Sequence, residues 1–415
     1  VQSPTVPLIA GADGYICEGC VHLANQVVTS WSRKRSLAKL QDPLQKPVQM
    51  KEKLDEYIIG QDAAKEILCV AVYNHYKRLK NESATSGIAT CQQNIELDKS
   101  NVLLLGPSGT GKTLLASTLA RIVGVPFAVA DATTITQAGY VGDDVESILV
   151  RLLDVAEGDV GRAEWGIVYI DEVDKLSRSP ESASGMRDVS GEGVQQALLK
   201  LVEGAEVKVS TKGRRREGGE EVTIDTRNIL FIAGGAFAGL EERVSNRINP
   251  QKGGIGFHMT FPQDDEADLG SILSEVQPDD LRQFGLIPEF IGRFPVIAAL
   301  QALDEESLVK ILTEPRNALV RQYSRLFEFD GIELEFTHDA LITIAQLAIE
   351  RGTGARGLRG VLEKILCHNM FELPSIEDVG HCLVDEDVVK GIKDIIQNPA
   401  DEMKSHAETK EMATG

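Results

Sequence analysis

Positive charge is scarce in this sequence. Its 415 residues carry 43 lysines and arginines against 63 aspartates and glutamates, a formal net charge of -20 at pH 7. A uniformly acidic field repels nucleic-acid phosphates, which argues against broad nucleic-acid binding, although local basic loops still suit acidic partners. Cysteine is also scarce, with six residues at positions 17, 20, 69, 91, 367 and 382, of which only Cys17 and Cys20 are close in sequence. That number is too small for a disulfide scaffold and suits a reducing cytosol, so a cytoplasmic protein is expected. Long apolar runs are missing: none reaches the roughly 18–20 residues that a membrane span requires. No internal repeat is read in the sequence, and no signal peptide is expected within these residues. The chain starts at Val1 rather than Met, and we expect the natural start to lie further upstream.

Hydrophobic residues make up 42% of the chain, as in ordinary globular proteins. Residues 1–30, with Cys17-Glu-Gly-Cys20, read as part of a small module, and the basic, Pro-containing segment 31–50 reads as a linker. Met50 to Leu79 has helical periodicity, broken at Ile59-Gly60, and residues 81–99 read as a polar loop. Five short apolar runs follow, at Asn101–Leu105, Phe127–Ala130, Gly166–Ile170, Asn228–Ala233 and Pro295–Leu300. Separated as they are by helical stretches, they predict an α/β fold with a parallel sheet covered on both faces. This unit is assigned to 51–301. A smaller, mainly helical unit is assigned to 302–396, with helices over 304–326, 338–350 and Ala355–Asn369 and a strand near Cys382-Leu-Val. The polar tail 397–415 reads as disordered.

The first apolar run opens into Gly106-Pro107-Ser108-Gly109-Thr110-Gly111-Lys112-Thr113, followed by a helical pattern from Leu114 to Val123. Strand, Gly-rich loop and helix in that order form a P-loop, and ATP is the expected ligand. The glycines let backbone N–H groups face phosphate oxygens, Lys112 reaches the terminal phosphates, and Thr113 is placed to ligate Mg2+. The third run ends in Asp171-Glu172. A carboxylate pair at the end of a neighbouring parallel strand sits beside the phosphate loop, with Asp171 for Mg2+ and Glu172 to polarise the attacking water. Two arginines are candidates for stabilising charge on the γ-phosphate: Arg293 after Pro288-Glu-Phe-Ile-Gly292, and Arg356 in Gly354-Ala-Arg356-Gly-Leu-Arg359. From composition alone each reads more readily as a surface or salt-bridged arginine.

The longer motifs resemble one family. Asp171-Glu-Val-Asp-Lys175, Arg187-Asp-Val-Ser-Gly-Glu-Gly193, Gly234-Gly-Ala-Phe-Ala-Gly239, Leu286-Ile-Pro-Glu-Phe-Ile-Gly-Arg293 and Gly352-Thr-Gly-Ala-Arg-Gly-Leu-Arg359 occur in the order seen in the ClpX family of AAA+ ATPases. The resemblance runs from about Ile9 to about Asp387. It implies a homohexameric, ATP-driven unfoldase that threads tagged or unfolded proteins, some brought by adaptor proteins, into the ClpP peptidase. It implies that Arg293 acts on a neighbouring subunit's nucleotide, that Arg356 is the second sensor, and that Tyr57, Ile58, Ile59 and Gln61 lie near the adenine. Periodicity by itself would place Ile58 and Ile59 in the core. In the same family Tyr140 and Val141 would grip substrate in the pore, Arg187 would belong to a second pore loop, and Ile255-Gly256-Phe257 would dock in clefts of the peptidase.

The sequence departs from the family at three places. The loop at the mouth of the pore has Lys212-Gly-Arg214-Arg215-Arg216-Glu217 where the family commonly has Arg-Lys-His, so charge remains and tag preference is open. The family's zinc module has two C-x-x-C pairs, but Cys17 and Cys20 supply one. Structural zinc needs four ligands, so Zn2+ is expected in the natural protein and not in these 415 residues. The run Asn228–Ala233 ends in Gly234-Gly235, with no Thr or Asn to act as the polar first sensor. The competing readings are an HslU-type unfoldase, an AAA+ ATPase remodelling nucleic-acid complexes, and a non-hydrolysing scaffold.

Overall fold

The structure is a computed structural model. It describes residues 8–10, 15–17, 20–21, 44–85, 97–136, 143–177, 191–210, 221–248, 266–376 and 379–399. All five apolar runs form strands of one sheet: β1 (Val102–Leu105), β2 (Phe127–Asp131), β3 (Ile167–Asp171), β4 (Leu230–Gly235) and β5 (Val296–Ala299). The order across the sheet is β5-β1-β4-β3-β2, and every pairing is parallel. Alternate residues face opposite sides, as the two-residue period of a strand requires. Val102, Leu104, Ile167, Tyr169, Leu230 and Ile232 pack on one side with helices α1 (Pro47–Asp55), α2 (Asp62–Thr85) and α3 (Lys112–Val123). Leu103, Leu105, Val168, Ile170, Phe231 and Ala233 pack on the other with α4 (Ser147–Val155) and α5 (Glu192–Glu203). The strands read as continuous apolar runs because both faces are covered.

A separate core lies beyond the sheet, formed by Leu308, Leu312, Tyr323, Phe327, Ile344, Leu358, Leu362 and Cys382 among others. Its elements are α6 (Glu305–Thr313), α7 (Leu319–Phe329), α8 (His338–Glu350), α9 (Ala355–Glu372) and a three-stranded sheet of β6 (Glu333–Phe336), β7 (Val379–Val384) and β8 (Ile396–Pro399).

Several sequence expectations change. The single helix over 304–326 is two helices: Glu314 keeps helical angles as the C-cap of the first, but Pro315 has no N–H to donate, and Arg316 N donates to Glu56 O at 2.8 Å rather than continuing the helix. The segment 31–50 is not linker throughout, since Pro47 starts α1 from its first turn, where a proline is tolerated. The polar stretch after Leu79 continues as helix to Thr85, and α9 runs three residues past Asn369. The tail expectation from Gln397 fails at its start: Gln397 pairs with Cys382 across β7 and β8. An antiparallel hairpin of Glu206–Ser210 and Glu221–Asp225 was not foreseen, although Val207, Val209, Val222 and Ile224 alternate with polar residues.

Candidate active site

The phosphate loop leaves β1 at Gly106. A Cβ there would stand 2.7 Å from Leu300 O at the end of β5, so only glycine permits the passage. Gly109 has φ +80°, and a Cβ on it would stand 2.5 Å from Thr353 O. The loop therefore lies directly against the segment that starts α9 in the smaller unit. Gly111 forms the N-cap of α3 without any side-chain cap, which leaves first-turn amides for an anion, reinforced by the positive end of the helix.

Lys112 is 8% exposed. Its ammonium donates to Gly106 O at 2.6 Å and Pro107 O at 2.8 Å. Burial lowers its pKa to about 8, while Asp171 and Asp174 partly oppose that and Arg356 adds to it. Arg356, exposed in the first turn of α9, is thus within electrostatic range of the phosphate loop.

Thr113 Oγ1 donates to Asp171 Oδ2 at 3.2 Å. Asp171 Oδ1 accepts from Tyr169 Oη at 3.2 Å and from Glu172 N at 3.0 Å. A hydroxyl and a carboxylate that already touch, beside a buried lysine and free helix amides, fit Mg2+ bound to a triphosphate. Glu172 is exposed and has φ 58°, a left-handed conformation uncommon for a residue with a side chain. Such backbone strain recurs at functional sites; here it swings Glu172 away from the strand direction followed by Asp171. Asp174 is buried, and its Oδ1 accepts from Ala236 N at 3.2 Å, so it braces the tip of β4.

The expected adenine-side residues divide. Ile58 is buried in the core, whereas Tyr57 and Ile59 are partly exposed. Arg121 lies 4.6 Å over the Tyr57 ring, and Arg316 Nη1 donates to Tyr57 Oη at 3.3 Å. Gln61 has φ 62°, and its side-chain amide exchanges two bonds of 2.8 Å with the backbone of Gln301. Its amide holds the loop to the chain after β5. Leu114 is exposed at the start of α3, and Ser108 lies at the outer bend of the phosphate loop.

Arg293 is placed far from this chain's own phosphate loop. Its carbonyl accepts from Asn101 Nδ2 at 2.9 Å, at the end of β1 opposite Gly106, a separation of about 16 Å at 3.3 Å per residue. Its guanidinium pairs with Glu203 Oε1 at 2.9 Å and 2.7 Å. Sequence reasoning did not find Glu203, nor Tyr169. The signal for Tyr169 is its spacing: two residues before Asp171 on a strand, it must share that residue's face.

Tyr140, Val141, Arg187, Arg214, Arg215, Arg216, Ile255, Gly256 and Phe257 lie outside the described residues. Cys17 and Cys20 are adjacent, and the Cys17 hydrogen bond raises the Cys20 thiol above its ordinary pKa. Among the described residues no group of three or more His, Cys, Asp or Glu is arranged to hold a metal. Among them, too, no helix is long and apolar enough to cross a membrane.

Comparison with known proteins accounts for both units. The family described as AAA domain (Cdc48 subfamily) matches residues 97–297, and the C-terminal, D2-small domain of ClpB protein matches 303–381. The chain is 64% identical over 394 residues to the ATP-dependent Clp protease ATP-binding subunit ClpX 3 of Methylococcus capsulatus, covering 94% of this chain and 91% of the relative. It is 60% identical to a ClpX of Azotobacter vinelandii, covering 92% and 87%, and 48% identical to one of Treponema denticola, covering 90% and 88%.

Proposed function

The chain belongs to the ClpX family of AAA+ ATPases, and from that premise we propose that it is the unfoldase subunit of a Clp protease, a cytoplasmic homohexamer that threads tagged proteins into the ClpP peptidase. The relatives' names carry the protease association. The observation that supports the motor reading most directly is the separation within one chain: a phosphate loop with Asp171 and Glu172 at one end of β1, and Arg293 anchored at the other. An arginine so placed suits a neighbour's nucleotide in a ring.

The roles follow from this geometry. First-turn amides of α3 and Lys112 hold the β- and γ-phosphates of ATP. Thr113 and Asp171 would hold Mg2+, which would neutralise phosphate charge when bound. Glu172 orients a water and accepts its proton as the water attacks the γ-phosphorus. A neighbour's Arg293 leaves Glu203 and stabilises charge on the γ-phosphoryl oxygens. Arg356 couples that charge to the smaller unit, whose first α9 turn rests on Gly109. The units 51–301 and 302–396 then shift relative to each other and drive Tyr140 and Val141 against the threaded polypeptide. An aromatic and a β-branched side chain between glycines press on any sequence. Arg187 and Arg214, Arg215 and Arg216 supply positive charge toward substrate, and Ile255-Gly256-Phe257 docks on the peptidase. Cys17 and Cys20 supply only two zinc ligands and take no part in these steps.

The test is degradation of a tagged reporter by the purified chain, ClpP and ATP. Tyr140→Ala is expected to abolish degradation while ATP hydrolysis continues, and Glu172→Gln to abolish both while nucleotide still binds. Degradation unaffected by Tyr140→Ala would remove the gripping role; ATP turnover stimulated by DNA rather than by unfolded protein would replace the unfoldase reading.

A further inference from the structure

β4 lies between β1, which carries the phosphate loop, and β3, which carries Asp171. Its tip therefore points at the space where the γ-phosphate and attacking water must lie, and a polar side chain there would touch both. The tip carries Gly234 and Gly235 instead. The structure shows what fills the space. A Cβ on Gly234 would stand 2.1 Å from Tyr169 Oη and 2.8 Å from its Cζ. Ile232 and Tyr169 are register partners, so Gly234 lies two residues further along, level with Asp171. The phenol thus crosses from β3 over the bare tip of β4, and glycine at 234 is the condition for that crossing.

The phenol does more than pack. Its Oη donates to Asp171 Oδ1 at 3.2 Å, while Thr113 Oγ1 donates to Oδ2 of the same carboxylate at 3.2 Å. Thr113 interacts with the phenol as well. Tyr169, Asp171 and Thr113 form a closed triangle in which two members are the expected Mg2+ ligands. A phenol is protonated at neutral pH and so acts as a donor to the carboxylate; its ring is fully enclosed by the core.

We propose that Tyr169 is a positioning residue for the metal-binding pair Thr113 and Asp171, supplying from β3 the polar group that Gly234 leaves out of β4. A carboxylate fixed through one oxygen presents the other in a single direction. Partners that orient a metal's ligands are worth about 10–100-fold in metal affinity or activity. The proposal rests on the ATP-site reading above, which the metal-free arm below checks by itself.

The test uses the full chain and a fluorescent, non-hydrolysable ATP analogue, titrated with Mg2+ and separately in EDTA. Tyr169→Phe is expected to raise the Mg2+ midpoint about tenfold and to leave affinity in EDTA within twofold. A tyrosine that serves only as core would change the melting temperature and leave the Mg2+ midpoint where it was, and that result overturns the proposal. Failure of the analogue to bind in EDTA or Mg2+ would instead count against the ATP site itself. Where Tyr169→Phe does not fold, exchange variants decide. Tyr169→Val clears the space over Gly234, and adding Gly234→Asn returns a polar group from β4. Recovery of the Mg2+ midpoint in the double variant supports the proposal; a midpoint no better than that of Tyr169→Val alone overturns it.

Discussion

Lys112 gives the nucleotide site a pH dependence whose sign can be worked out. The side chain is enclosed, with its ammonium on two loop carbonyls, and burial brings its pKa from 10.5 to about 8. The difference corresponds to about 3 kcal/mol between charged and neutral forms. A triphosphate against the ammonium favours the charged form, so the bound state holds its proton to higher pH. Binding therefore takes up a proton above pH 8, and affinity falls as pH rises. With a bound-state pKa restored to the ordinary value, uptake is about 0.1 proton at pH 7 and about 0.9 at pH 9, and affinity is about tenfold weaker at pH 9 than at pH 7. The stability of the nucleotide-free protein runs the other way: between pH 8 and 10.5 the unfolded chain holds the extra proton, so this group's contribution to stability increases with pH. Calorimetric titration of ATP in buffers of different ionisation enthalpy measures the uptake directly. Lys112→Arg, charged at every accessible pH, is expected to bind without the pH 9 uptake. Uptake near zero at pH 9 in the unaltered chain, or equal uptake in Lys112→Arg, would refute the reasoning.

Three further outcomes are expected. The Arg293–Glu203 pair is about half exposed on both sides, so it is worth at most about 1 kcal/mol to folding; Glu203→Gln should leave the melting temperature nearly unchanged and raise ATP turnover by freeing Arg293, whereas Arg293→Ala should lower kcat steeply, and steady-state kinetics checks both. Gly109→Ala places a side chain at φ +80° and 2.5 Å from Thr353 O; the left-handed backbone alone costs about 1–2 kcal/mol, so nucleotide affinity should drop tenfold or more, read by fluorescence titration. Gln195 is fully buried, donating to Leu176 O and accepting from Ile287 N at 2.8 Å each. Gln195→Leu strands both backbone groups at about 1–3 kcal/mol apiece, a loss that urea unfolding should report.

What the sequence determined by itself is local. Gly106 to Thr113 between an apolar strand and a helix could be identified because phosphate binding needs contiguous backbone amides. Asp171-Glu172 was legible because it ends an apolar run, and the five strands because each is apolar through its whole length. The break at Pro315 was legible too, from the missing N–H, although 304–326 reads there as one helix. What the tertiary structure decided depends on residues far apart in the chain. Gln61 turned out to grip Gln301, Asn101 to anchor Arg293 at the far end of β1, and Gln397 to pair with Cys382. The bare glycines at 234 and 235 looked like a missing sensor in the sequence. In three dimensions Gly234 is the space that Tyr169 occupies, 65 residues away, because parallel pairing sets β3 and β4 side by side and leaves room at that tip for only one side chain.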